Sequence, residues 1–180
     1  ASHSKILVFE AGPTQATGGI VPISQRACIP ADIGLPSAAT SGTDTAFADG
    51  TLFLTSVFVP ANFTVTSIGY LVGSVGGTTK IIARIYDSAG VLVASSTVTS
   101  GGTTAGTAAQ LQEIACAASL TGPRRYFIGI SGNGNTAKLR TAPAFTGGGA
   151  FCGSVSLTHA ATTAVTPPTA FAADKSPFAY

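Results

Sequence analysis

The sequence predicts an all-β protein: an antiparallel β-sandwich of about eight strands, jelly-roll-like in topology, with an extended N-terminal arm. Three observations lead to this fold class. Short runs rich in Val, Ile, Thr and aromatic residues recur at regular turn spacings. No stretch shows a convincing helical period of apolar residues. The 180 residues include 22 glycines and 10 prolines, which punctuate the runs as turn residues do.

The first 46 residues differ from the rest of the chain. They contain one short strand candidate, Lys5–Glu10, followed by isolated apolar residues between prolines 13, 22, 30 and 36. Prolines at this frequency break strand ladders and favour extended backbone. The sequence therefore predicts an arm over residues 1–46 and a sandwich domain with a C-terminal tail over residues 47–180.

Eight runs in the sandwich domain have the β-branched and aromatic composition of strands. Alternation of side chains between two faces is clear in several of them, as in the run that contains Ile81, Ala83 and Ile85. In chain order, the predicted strands are residues 51–59, 63–73, 79–87, 90–98, 110–116, 124–131, 138–141 and 151–157.

The connections between these strands carry further predictions. Asp87-Ser88-Ala89-Gly90 has the residues of a type I turn followed by a left-handed residue, which indicates a hairpin. The Gly- and Thr-rich stretch 100–107 is predicted to be a mobile loop. A Gly-Asn turn over residues 132–135 predicts a second hairpin, which would bring Arg124 and Arg125 opposite Lys138 and Arg140. This small basic area is expected to be solvated or paired with Glu113.

Composition excludes several classes of protein. Charged residues make up 9% of the chain and the net charge is +2, with a mean hydropathy of +0.43. Disordered proteins have the opposite composition, and nine scattered basic residues do not form a nucleic-acid surface. No apolar run approaches the roughly 20 residues of a membrane span. Soluble surfaces are usually about 25–35% charged, so we expect neighbouring proteins to cover much of this surface.

The start of the sequence and the three cysteines do not indicate a particular cellular location. The sequence begins without a secretory signal, as expected for a complete gene product or for a mature fragment. Cys28, Cys116 and Cys152 are odd in number and lack metal-binding spacing. They are predicted to be free, buried cysteines that pack as small apolar side chains.

Catalytic, metal and cofactor sites are not expected. His3 lies in the arm and His159 in a Ser/Thr/Ala-rich stretch, where it is predicted to be a solvated loop residue. Neither histidine has the spacing of a metal or nucleophile motif. Asp44 and Asp49 are too few for a calcium site. The sequence therefore predicts a protein that is not an enzyme and has no cofactor.

Strand and turn motifs over residues 49–141, together with the last four residues of the sequence, carry a resemblance. They are ADGTLFLTSVFVPANFTVTSIGYLVGSVGGTTKIIARIYDSAGVLVASS, the later GPRRYFIGISGNGNTAKLRT and the terminal PFAY. In this pattern the chain resembles virion structural proteins of tailed bacteriophages, of the capsid decoration (cement) type. The resemblance covers more than half of the chain and concerns fold motifs rather than chemistry.

This resemblance implies a protein made in the host cytoplasm that binds the outer capsid surface and stabilises it. Its partners would be the major capsid protein and copies of itself, as a trimer or dimer, with no nucleic acid or membrane. Ile6, Leu7, Val8 and Phe9 are the expected subunit contact, because a short apolar strand can add to a neighbour. The alternative is that residues 5–10 form an edge strand of the same sandwich. The competing functions are a carbohydrate-binding module of a tail or fibre and, less favoured, a phage hydrolase that uses His159.

Overall fold

A computed structural model describes residues 42–143 and 151–179. Over these ranges the chain forms eleven strands and one 3-10 turn, Thr99–Gly101, with no α-helix, and all strand pairs are antiparallel. The predicted all-β sandwich is thus confirmed. The strands are β1 Thr43–Ala46, β2 Thr51–Val59, β3 Phe63–Leu71, β4 Gly77–Asp87, β5 Leu92–Ser95, β6 Thr103–Gly106, β7 Leu111–Leu120, β8 Arg124–Gly132, β9 Lys138–Ala142, β10 Cys152–Ser156 and β11 Ser176–Pro177.

The largest sheet has the order β10-β2-β8-β4-β5, with β6 also paired to β4. Its centre is built from the longest β-branched and aromatic runs of the sequence, in β2, β4 and β8. Ile128 of β8 lies opposite Thr55 of β2 on one side and Ile85 of β4 on the other. Strands of this composition fit a pleated surface that is buried by its neighbours.

Two smaller sheets form the second layer of the sandwich. One pairs β3 with β7, and the other has the order β1-β9-β11. Bridges at Tyr70–Ala179 and Val72–Leu139 join the end of β3 to the three-stranded sheet. The jelly-roll order of strands stays a prediction.

Apolar side chains cover both faces of the largest sheet. On the inner face, Phe53, Ile85 and Ile130 pack against the second layer in one large buried cluster. On the outer face, Leu52, Leu54, Tyr86, Phe127 and Leu157 form a second cluster. Part of its cover comes from residues 157–172, which we call the covering segment. Burial on both faces explains why strands such as β2 are apolar without interruption.

The predicted hairpin between β4 and β5 is confirmed. The Asp87 carboxylate accepts hydrogen bonds from the backbone N–H groups of Ala89 and Val91, both at 2.9 Å. Gly90 has the left-handed φ of 82° that this turn requires. The return strand is shorter than predicted, since β5 spans Leu92–Ser95.

Three short strands were not expected from the sequence, so the prediction of about eight strands was too low. These are β1, β6 and β11, which have two to four residues. Stretch 100–107, predicted to be a mobile loop, contains the 3-10 turn and β6. Ala105 is fully buried there, and its carbonyl accepts a hydrogen bond from the Tyr70 hydroxyl at 2.8 Å. Strands this short are specified by their partners rather than by local composition.

The predicted hairpin between residues 124–131 and 138–141 is wrong. β8 pairs with β2 and β4, whereas β9 pairs with β1 and β11 in another sheet. Arg140 forms an ion pair with Asp44, with Nη1 and Oδ1 3.0 Å apart. The sequence could not show this separation, because the long central strands compete for β8 through contacts distant in the chain.

The predicted arm falls mostly outside the described residues, which begin at residue 42. Its last four residues, Thr43–Ala46, form β1 and pair with β9. The predicted C-terminal tail contains β11, and Phe178 and Ala179 beyond it are buried. Within the described ranges, no helix is long and apolar enough to cross a membrane.

The Asp44 carboxylate links β1 to Arg140 of β9 and to the Ser74 N–H after β3, and its removal gives a first prediction. Partial burial tends to raise its pKa, but hydrogen bonds from Ser74 and the charges of Arg140 and Lys138 outweigh burial, so the pKa of Asp44 is lowered. A lowered folded-state pKa stabilises the protein above the unfolded value of about 3.9. That contribution is lost as the pH falls through the folded-state pKa.

We therefore expect Asp44→Asn to lower the free energy of unfolding by about 1 kcal/mol at neutral pH, as for other partly exposed pairs. Wild type and variant should converge in acid, when the carboxyl is protonated in both states. Urea unfolding across a pH series measures this, with Asp49→Asn at an exposed position as the control. A difference between wild type and variant that persists unchanged in acid would contradict the assignment.

Candidate functional site

Two features of the described structure are candidates for a functional site: a buried polar cluster on the outer face of the large sheet and an apolar groove between the two layers. The polar cluster is centred on Arg84, in the middle of β4. Arg84 alternates with Ile82 and Tyr86 along the strand and is fully buried. A completely buried arginine is rare unless its charge and donors are satisfied.

Backbone carbonyls and one hydroxyl satisfy the Arg84 guanidinium. Nε and Nη2 donate to the Ala161 carbonyl at 3.1 and 2.9 Å, and Nη2 also donates to the His159 carbonyl. Nη1 donates to the Ser131 hydroxyl at 2.7 Å. Burial lowers the pKa of Arg84, and the adjacent Tyr86 acts in the opposite direction. Arg84 thus ties the covering segment to the sheet.

His159 continues this hydrogen-bond network and corrects the prediction of a solvated histidine. Its side chain is buried, with 6% exposed. Nε2 lies 2.7 Å from the Gly101 carbonyl, which can only accept, so Nε2 carries the hydrogen. Nδ1 then accepts from the Ser131 hydroxyl at 3.3 Å. The network runs from Arg84 through Ser131 and His159 to the 3-10 turn.

The pair of Ser131 and His159 has the residue types of a nucleophile and its base, but its surroundings favour a structural role. Ser131 is fully buried, and its oxygen already accepts from Arg84. The second histidine nitrogen is bonded to a backbone carbonyl, where nucleophilic triads hold a carboxylate. The cluster positions the covering segment and the turn at Gly101.

The groove lies between β2 and β3 and has a cavity volume of about 260 Å³. Its floor comes from the large sheet, its wall is residues 63–68 of β3, and Leu120 of β7 also lines it. The floor consists of four apolar side chains, those of Val57, Val59, Ile85 and Ile128. Phe63 is 51% exposed beside it. An open apolar cleft of this kind is a typical binding surface.

The wall of the groove is also an open strand edge. Farther along β3, the Leu71 N–H donates to the Phe178 carbonyl at 3.0 Å, so that end is covered. Along residues 63–68, no backbone hydrogen bond joins the edge opposite β7 to any other described element. Open edges present unpaired N–H and C=O groups to another strand. No pattern in the sequence predicts this groove, because the groove exists only once β2 and β3 are placed in different layers.

The predicted contact residues Ile6, Leu7, Val8 and Phe9 lie outside the described residues, as does His3. In residues 42–143 and 151–179, no three His, Cys, Asp or Glu side chains are grouped as metal ligands. Asp44 is bonded to Arg140 and to the Ser74 N–H.

Cys116 and Cys152 are free and buried, as predicted, while Cys28 lies outside the described residues. Burial raises the pKa of both thiols, which lowers the thiolate fraction. In a Cys28→Ser variant we expect the native protein to be nearly unreactive toward a thiol-specific disulfide reagent at neutral pH. Denaturant should expose both thiols. Rapid reaction of either thiol in the native state would contradict their burial.

Comparison of the chain with protein-family models, with curated proteins and with solved structures finds no match.

Proposed function

We propose that this chain is a structural subunit of a phage particle, which binds the outer surface of the capsid and stabilises it as a decoration protein. The observation that carries the proposal is the scarcity of surface charge. Of the 131 residues that the structure describes, 12 are charged: Asp49, Glu113 and Arg124 are exposed, Arg84 is buried and the other eight are partly buried. Association through such a surface removes few charges from water, which would otherwise oppose it.

Exposed apolar side chains support the same role. Val91, Val93 and Leu111 are 54%, 41% and 48% exposed. β5, which contains Val93, is the last strand at its side of the large sheet, and edge strands are places where protein chains associate. The proposal includes association with further copies of the chain as a dimer or trimer. It also draws support from the sequence resemblance described above.

The carbohydrate-binding alternative gains no support from the described surface. Sugar sites commonly use exposed aromatic side chains with a few polar groups. Tyr70, Tyr86 and Tyr126 are buried, and the chain has no tryptophan. Tyr180 lies outside the described residues.

The test is to add purified chain to phage heads that lack it. We expect saturable binding in many copies per head and a rise in the temperature at which the heads release their DNA. The unfolded chain and heads of an unrelated phage are the controls. No binding, or binding that leaves the release temperature unchanged, would refute the decoration role.

Light scattering after size-exclusion chromatography tests self-association separately. A dimer or trimer is the expected state. Val93→Lys should weaken it, because a charge on an edge strand opposes strand-to-strand association. Ser88→Lys, at an exposed turn position, is the matched control. A monomer at all concentrations would refute self-association in solution.

A further inference from the structure

We infer that residues 5–10 of the chain bind the groove of the same molecule, adding an antiparallel strand to the open edge of β3. This inference goes beyond the capsid role and is tested on the purified chain alone. Its basis is the juxtaposition of an apolar groove with a strand edge that pairs with no described element, both formed by residues 63–68. A single extended peptide can satisfy both features, since its backbone pairs with the edge and alternate side chains enter the groove.

The chain contains a segment of matching length and composition. Lys5-Ile6-Leu7-Val8-Phe9-Glu10 is six residues long, as is the open edge, and its four central residues favour strands. The other apolar stretches before residue 42, around Ile20 and Ile29, are interrupted by proline, which cannot donate to a ladder.

Charge favours the antiparallel direction. Arg124 lies opposite Val59 at the end of the groove near Phe63, it is exposed, and no carboxylate of the described residues forms an ion pair with it. An antiparallel strand with Glu10 beside Phe63 brings that carboxylate toward Arg124. The same register places Lys5 beside Ile68, near Glu113, which lies opposite Gly69 on β7.

This register also decides which side chains enter the groove. Cross-strand neighbours point to the same face of a sheet. Val8, opposite Val65, therefore points to the same face as Val65, and Ile6, opposite Ser67, points to the same face as Ser67. Val65 and Ser67 are half-buried, whereas Thr64 and Thr66 are exposed. Ile6 and Val8 therefore fill the groove, and Leu7 and Phe9 lie on the outer face, available to a neighbouring subunit.

The length of the chain favours binding within one molecule. Asp44 accepts a hydrogen bond from the Ser74 N–H at 3.0 Å, so β1 starts near the end of β3. The distance from Ser74 back along β3 to the middle of the groove is about nine residues of strand, or about 30 Å. The 31 residues between Glu10 and Gly42 can span at most about 100 Å. Residues 5–10, tethered within reach of the groove, have a high effective concentration there. The same residues of a second molecule in dilute solution do not reach that concentration.

Tryptophan provides the first test because the chain has none. We expect Val8→Trp to show blue-shifted emission and protection from acrylamide quenching, and Phe9→Trp to behave as an exposed residue. A free peptide of residues 4–11, added above the roughly millimolar effective concentration of the tethered segment, should compete and shift the Val8→Trp emission to the red, while a scrambled peptide at the same concentration should not. Equal exposure of the two tryptophans, the reverse order, or no effect of the peptide would overturn the inference.

A charge in the groove provides a second test. Val65→Glu in the Val8→Trp background should abolish the blue shift, whereas Val93→Glu, outside the groove, should leave it. Thermal unfolding by circular dichroism shows whether each variant is folded. If Val65→Glu does not fold, the peptide competition decides the result. A blue shift that survives in folded Val65→Glu would overturn the inference.

Disulfide trapping distinguishes one molecule from two. In a Cys28→Ser background, Leu7→Cys with Thr66→Cys should form a disulfide within the monomer, because the register places these residues opposite each other. Leu7→Cys with Thr104→Cys, at an exposed position of β6, is the matched control. Disulfide-linked dimers would overturn binding within one molecule in favour of a second copy. If no disulfide specific to Thr66→Cys forms, binding within one molecule and binding to a second copy are both overturned.

Discussion

Replacing Arg84 with alanine is expected to lower the free energy of unfolding by about 3–5 kcal/mol. The substitution removes a fully buried side chain and leaves the carbonyls of His159 and Ala161 and the hydroxyl of Ser131 without their donor. Each unsatisfied buried polar group costs about 1–3 kcal/mol. The empty volume beneath the covering segment adds a further loss of packing.

The experiment compares urea unfolding of Arg84→Ala with that of Asp49→Ala, whose side chain is exposed. The control should change the free energy of unfolding by no more than about 0.5 kcal/mol. Limited proteolysis adds local evidence, since cleavage in residues 157–172 should become faster in Arg84→Ala. A loss below about 1 kcal/mol, with unchanged cleavage, would show that Arg84 does not hold the covering segment.

Replacing Gly90 with alanine is the second change expected to have a large effect. Gly90 has a φ of 82°, and a Cβ there would collide with the Val165 carbonyl and lie 2.8 Å from Pro167 Cδ. The left-handed backbone costs an alanine about 1–2 kcal/mol, and overpacking typically adds about 1–3 kcal/mol. The Val165 N–H donates to the Gly90 carbonyl at 2.9 Å. If the collision moved the covering segment away, the turn would also lose this hydrogen bond.

Gly50 is a close control for this prediction. Its φ is 79°, and no atom lies within 4 Å of a Cβ built at this position. Gly50→Ala should therefore show the backbone cost alone, and the difference between the two variants in urea unfolding isolates the collision with the covering segment. Equal losses for Gly50→Ala and Gly90→Ala would mean that residues 165–167 move aside at little cost.

The sequence predicted those parts of the fold that are coded locally. The bounds of β2 were predicted residue for residue, because a β-branched run ends at Pro60. The turn at Asp87 was predicted from residues whose side chains and φ angles define it. β7 was recognised but continues to Leu120, beyond the predicted end at Cys116, since its last residues owe their pairing to β3.

The buried cluster and the groove could not be predicted in the same way. Arg84 alternates with apolar residues, as an arginine on a solvated strand face would, and its partners are 47–77 residues away in the chain. His159 lies among small polar residues that resemble a loop. A usable signal was the uninterrupted apolar run Leu52-Phe53-Leu54, which requires cover on both faces of its sheet. It does not say which segment provides that cover.

The order of pairing in the large sheet has a consequence for how the protein forms during synthesis. β2 is made before its partners β8 and β10, which lie roughly 70 and 100 residues farther along the chain. The Thr55 hydroxyl, in β2, bonds to Ser176 across 121 residues. Until those late residues leave the ribosome, the apolar faces of β2 remain without partners. Folding should therefore be slow and complete only after residue 176 has left the ribosome, so this chain depends on protection from aggregation while it is being made.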